Sequence, residues 1–191
     1  MILSAFKMES MFRNNLYKFK GLLLKFYFFI HGCKSGDKLR CHTFPRFRIP
    51  PNKNYLIGNN VTIGYDITFE VQKTGSLIIG DFVKLTQNAL ISAGSKVSIG
   101  DYSLFGENVS IRDGDHSSSI DKPVSLQPNI YNPISIGRDV WIGAGSYVLQ
   151  GSRIPDGVII GANSVVLAKS DLKSNCVYAG SPVKLIKTRK D

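Results

Sequence analysis

The chain has 191 residues, 43 % apolar and 20 % charged, which suits one globular domain with an appendage and excludes a disordered protein. Three cysteines (Cys33, Cys41, Cys176) with no CxxC pair argue against a disulfide framework or structural zinc, and for a reducing compartment. The net charge of +10 is lopsided, since residues 1–53 carry eleven Lys or Arg against Glu9 and Asp37, and the rest is almost neutral. Such a balance raises nucleic acid as a partner, but no recognition helix, zinc finger or RNA-binding aromatic signature accompanies it, and none is expected to bind.

Residues 1–54 read as a basic helical arm. Phe12, Leu16, Phe19, Leu23, Phe26 and Ile30 alternate steps of four and three, which predicts one apolar stripe of a helix flanked by Arg13, Lys18, Lys20 and Lys25. The strictly apolar run Phe26–Ile30 is too short to span a bilayer, and a signal-peptide cleavage site is missing. Two readings stay open. The stripe packs on its own domain or a neighbouring subunit, or it lies on an anionic membrane with lysines at the headgroups. Gly32, Gly36, Pro45, Pro50 and Pro51 mark an irregular stretch before the next element.

From Ile57 a six-residue beat takes over. Its triplets are Ile57, Ile63, Phe69; Ile79, Leu85, Ile91; Ile99, Phe105, Ile111; Ile136, Ile142, Val148; and Ile154, Ile160, Val166. Six matches neither a helix nor a simple strand. It fits flat faces joined by turns, three to a triangular coil, with each coil burying its large side chains on the next. About five such coils are expected over residues 55–172, interrupted by one excursion at 112–133 and followed by a tail at 173–191. A purely structural solenoid would favour uninterrupted coils, and the excursion argues against it.

The repeat, an aliphatic residue followed by glycine and, four on, a small residue, resembles the left-handed parallel β-helix of the hexapeptide-repeat acyltransferases. The resemblance covers roughly residues 55–190 and implies an all-β fold, acetyl-CoA as acyl donor, no metal, and a homotrimer with active sites between neighbouring prisms. The stretch VSIGDYSLFGENVSIRDGDH, Val97–His116, is similar to the polysaccharide and galactoside O-acetyltransferases, whose catalytic histidine lies in the corresponding loop. His116 is also the one histidine on the repeat, and polar residues on loops held by a scaffold tend to be the working ones. An imidazole's ordinary pKa near 6.5 suits a general base at neutral pH. The resemblance therefore implies that His116 deprotonates an acceptor hydroxyl as it attacks the thioester. Asp113 or Asp115 could orient the imidazole, or simply make the turn.

Other positions follow from the same resemblance. Asn88 matches a substrate-contacting asparagine, although an asparagine at a coil corner is common for backbone reasons. Trp141, the sole tryptophan, falls at an outward position and is implied to lie beside donor and acceptor, and Asp115 is a further substrate candidate. Gly143, Ala144 and Ala162 supply small residues where pantetheine would lie against backbone. The tail AGSPVKLIK makes Lys184 and Lys187, with Lys169 before it, candidates for the nucleotide phosphates.

The leading expectation is an O-acetyltransferase acting on a sugar of a bacterial surface polysaccharide, capsule or O-antigen, or on its precursor. It would work in the cytoplasm, with the arm in the assembly or on the inner face of the membrane. The competing expectations are an N-acetyltransferase on an amino or nucleotide sugar, a streptogramin-type enzyme, and a non-catalytic assembly subunit. A γ-type carbonic anhydrase is excluded because its zinc needs three histidines.

Overall fold

The six-residue beat folds as three flat faces joined by sharp corners, a parallel β-solenoid of about seven coils preceded by one helix. The computed structural model describes residues 2–190, with side chains from residue 9 onward. Ile57, Ile79, Ile99, Ile136 and Ile154 pair in register down the first face. Ile63, Leu85, Phe105, Ile142 and Ile160 do so on the second, and Phe69, Ile91, Ile111, Val148 and Val166 on the third. All fifteen side chains are buried. Identical spacing stacks apolar on apolar, so the core is one continuous column of apolar contacts.

The stack is longer than the five coils expected. Ser35, Cys41 and Phe47 pair with Ile57, Ile63 and Phe69, so Lys34–Phe47 forms a coil within the stretch read as irregular. It escapes a search for aliphatic residues because serine and cysteine stand at two of its three inward positions. At the other end Tyr178 pairs with Ile160, and the beat thus continues past Leu172 to a buried tyrosine. The strand Lys184–Thr188 then folds back antiparallel on Cys176–Ala179.

The corners are tight enough to need left-handed backbone. One column holds Asn60, Asp139 and Asn175, another Asp66, Asn88, Asn108 and Asn163, all with φ between 51° and 58°. Short polar side chains tolerate this region best. Lys38, Phe82 and Tyr102 are the larger exceptions, at φ 57°, 59° and 61°, and the last two are aromatic. The rings of Phe82 and Tyr102 stack 4.8 Å apart within 4° of parallel, and the Arg138 guanidinium stands over Tyr102, contacts that offset the backbone strain at those two positions.

Helix α1 (Ile2–Ile30) covers the open end of the first coil. It buries Gly21, Leu24 and Phe28, and Phe28 meets the rings of Phe47 and Tyr55. Gly21 is required, because a Cβ there would run into the Leu39 carbonyl. The stripe from Phe12 to Ile30 faces the other way and is exposed on this chain. Close backbone approach at Gly21, not the widest apolar arc, decides which side of α1 packs inward.

His42 lies under α1, stacked on Tyr17 at 4.0 Å. Burial, then Arg40 and Lys20, push its pKa below the ordinary histidine value. The folded state thus resists a proton that the unfolded chain accepts, and the associated stability is lost as pH falls. The thermal midpoint is expected to drop on acidification below about pH 6.5. H42N should flatten that slope, and an unchanged slope would place the acid sensitivity elsewhere.

Candidate active site

The excursion is a structured hairpin. The chain leaves the third face after Ile111 and rejoins the first at Ile134, so the hairpin springs from the corner between those faces. Gly114–His116 pairs antiparallel with Asn129–Tyr131, setting His116 opposite Asn129. The Tyr131 ring lies over Gly94 and Gly114, where a side chain on either glycine would collide with it. Further out, the buried Gln127 amide accepts from the Ser119 N–H at 2.9 Å. It donates to the Ser119 and Lys122 carbonyls at 2.7 and 2.6 Å. These bonds fix the loop through its own backbone.

At the root stands Asp113, fully buried. Its Oδ1 accepts from the Gly94 N–H at 2.7 Å, and Oδ2 accepts from Ser95 and Lys96 at 2.8 Å each. It therefore ties the hairpin to the preceding corner, and no hydrogen bond joins it to His116 among the described residues. Asp115 turns its carboxylate onto the backbone N–H of His116 at 2.8 Å, steadying the strand end. The His116 imidazole is exposed and makes no hydrogen bond among the described residues. It is held from behind by backbone and left free in front.

The second face carries most of the remaining candidates. Leu104, Trp141, Ile159, Val177 and Lys187 form one outward row across five strands. Trp141 is 49 % exposed. In a regular strand Lys184 and Lys187, three residues apart, would point to opposite sides. A register shift at Val177/Tyr178 puts Lys184 opposite Ala179 and Lys187 opposite Val177, so both lysines share the outward side. Gly143 is closed in, since a Cβ there would come within 2.5 Å of the Ala162 nitrogen. Ala144 and Ala162 follow at the corner between the second and third faces, and Asn88 occupies that same corner two coils earlier.

Lys169 does not join this group. It sits past Val166 on the corner between the third and first faces, where Ala168 packs under Gly151. The same holds for His116. The corner that bears it lies opposite the second face, with the width of the third face between it and the corner of Asn88, Ala144 and Ala162. One chain therefore holds the Trp141–lysine face and the histidine hairpin apart. Sequence reasoning overlooked Gln127 and Tyr131, whose work depends on hydrogen bonds and packing across the loop. Among the described residues, no three His, Cys, Asp or Glu side chains gather as a metal site would require.

Known proteins match this architecture. Residues 133–168 match the family described as bacterial transferase hexapeptide (six repeats). A putative lipopolysaccharide biosynthesis O-acetyl transferase of Escherichia coli K12 is 33 % identical over 138 residues, covering 68 % of this chain and 69 % of its own. The chain belongs to the hexapeptide-repeat acyltransferases. This acyltransferase is also 35 % identical, over 71 % of its length and 72 % of the relative's, to the dTDP-4-amino-4,6-dideoxy-D-glucose acyltransferase of Escherichia coli. Among solved structures, a hexapeptide-repeat acetyltransferase of Vibrio cholerae complexed with acetyl coenzyme A superposes with a TM-score of 0.64. That match has 28 % identity and covers 72 % of each chain.

Proposed function

We propose that the enzyme transfers acetyl from acetyl-CoA to a hydroxyl of a sugar, within a bacterial surface polysaccharide or its precursor, and works in the cytoplasm as a homotrimer. The observation that carries this reading is His116, an unengaged imidazole on a stiff hairpin, set apart from the face that bears Trp141, Lys184 and Lys187. A second copy whose second face meets this hairpin would close the site, and threefold repetition completes the ring. The name of the Escherichia coli lipopolysaccharide relative supports the acceptor class.

The chemistry follows from these parts. His116 takes the proton from the acceptor hydroxyl as that oxygen attacks the thioester carbonyl. Backbone N–H groups near the site hold the oxyanion, and CoA leaves as the thiol after the proton returns. Pantetheine lies along the small residues Gly143, Ala144 and Ala162, beside Trp141. Lys184 and Lys187 meet the nucleotide phosphates, and Lys169 on its own corner serves phosphates of a molecule bound to a neighbouring copy. Asn88 and the second carboxylate oxygen of Asp115 serve as acceptor contacts. Amine transfer is the second reading, favoured by the similarity to the amino-sugar acyltransferase.

Thiol release from acetyl-CoA against a panel of sugars, oligosaccharides and amino sugars tests both readings. Release with hydroxyl acceptors alone supports the first, release with amino sugars alone replaces it with the second, and no release with any acceptor removes both. For the donor site, K184A/K187A is expected to raise the KM for acetyl-CoA about tenfold or more with kcat nearly unchanged, as loss of exposed phosphate contacts should. An unaltered KM would take both lysines out of the site.

A further inference from the structure

The outward side of α1 has no partner among the described residues. Opposite the buried Gly21, Leu24 and Phe28, a wide arc presents Met11, Phe12, Phe19, Leu22, Phe26 and Phe29, with Asn15 the one polar residue among them. Phe12 is 72 % exposed, Phe26 62 % and Phe29 75 %. At 3.6 residues per turn, Lys18 and Lys25 fall along one border of the arc and Arg13 and Lys20 along the other. An apolar strip of this breadth left in water is the mark of an interaction surface.

The border with Lys18 and Lys25 opens into a groove of about 660 Å³ between α1 and the first coils. Lys18, Lys25, Lys38, Arg40 and Lys84 line it, against the single carboxylate of Asp37. That carboxylate is already bonded to Lys25 at 2.6 Å, which holds its pKa below the usual range. Positive charge in excess therefore runs along the apolar strip and into the groove.

Charge selects the occupant. A second copy of α1 laid face to face would bring basic borders together, and between Glu9 and Asp37 the sequence has no acidic residue to answer them. An anionic bilayer answers both features, its acyl boundary meeting the aromatics and its phosphates the lysines. Among the described residues no helix is long and apolar enough to cross a membrane, so the contact proposed is one of lying on the surface. We propose that α1 docks this enzyme flat on an anionic lipid bilayer, with Phe12, Phe19 and Phe26 in the acyl boundary and the groove lysines on lipid phosphates. The docking does not depend on which acceptor the enzyme acetylates.

Flotation of the full chain with vesicles tests it, using phosphatidylcholine alone and an equal mixture with phosphatidylglycerol, at low and high salt. The wild type is expected to float with the mixed vesicles at low salt and to stay behind with phosphatidylcholine. F19E/F26E alters exposed side chains only, so it should abolish flotation while keeping the melting midpoint. K18A should weaken partition about fivefold, the effect of one basic residue near a charged surface. Failure of the wild type to float, or equal flotation of F19E/F26E, overturns the proposal. If the wild type does not float and F19E/F26E lowers its mass in light scattering, the face belongs to a second copy instead.

Discussion

H116A is expected to reduce kcat by about two to four orders of magnitude, the usual loss when a general base is removed, with little change in melting temperature. The stability claim follows from placement, because the imidazole is exposed and no described group bonds to it. The hairpin keeps its shape through Asp113, Gln127 and Tyr131, none of which the substitution touches. Near-normal turnover would remove the proposed mechanism. The same variant tests whether the site is shared. Mixed and reassembled one to one with W141A, itself impaired, H116A should regain about a quarter of wild-type activity, because random pairing sets an intact histidine against an intact tryptophan in that fraction of interfaces. A site contained within one chain would recover nothing.

The scaffold was legible because its signal is a six-residue period of large apolar residues, and all fifteen positions found that way point inward. What lay beyond that period was hidden for physical reasons. Ser35 and Cys41 occupy inward positions without aliphatic side chains, so the first coil passed for a loop. On α1 the apolar arc left packing on the domain, packing on a neighbouring subunit and membrane contact open, because a single glycine on the opposite side, close against the Leu39 carbonyl, decides which side packs inward. Lys184 and Lys187 were picked from the tail motif alone, and their common outward side arises from a bulge that no spacing reveals. At the candidate site, chain order set Asp113, Asp115 and His116 side by side. The fold separates their duties, with both Asp113 oxygens and one Asp115 oxygen on backbone N–H groups and the imidazole left open.

Asp113 carries the second large expected effect, on stability. It is aligned after Ile111 as Val71 is after Phe69 and Ala93 after Ile91, and like them it is buried. A buried carboxylate is tolerated there because three N–H donors, from Gly94, Ser95 and Lys96, converge on its two oxygens. In D113N one oxygen becomes an NH2 group. The better rotamer keeps oxygen toward Ser95 and Lys96 and turns the NH2 onto the Gly94 N–H, setting donor against donor. Losing a charge-assisted bond and leaving a buried donor unpaired should cost roughly 2–4 kcal/mol. For a chain of this length that lowers the melting midpoint by about 5–15 °C. Amide exchange should quicken at Gly94–Lys96, and turnover should fall as the hairpin loosens, since a misplacement of about 1 Å can cost up to a hundredfold. The two substitutions then separate the two duties. H116A removes turnover from an intact fold, whereas D113N lowers both together, and slowed turnover at unchanged stability and exchange would instead move Asp113 from the hairpin's anchor into the chemistry.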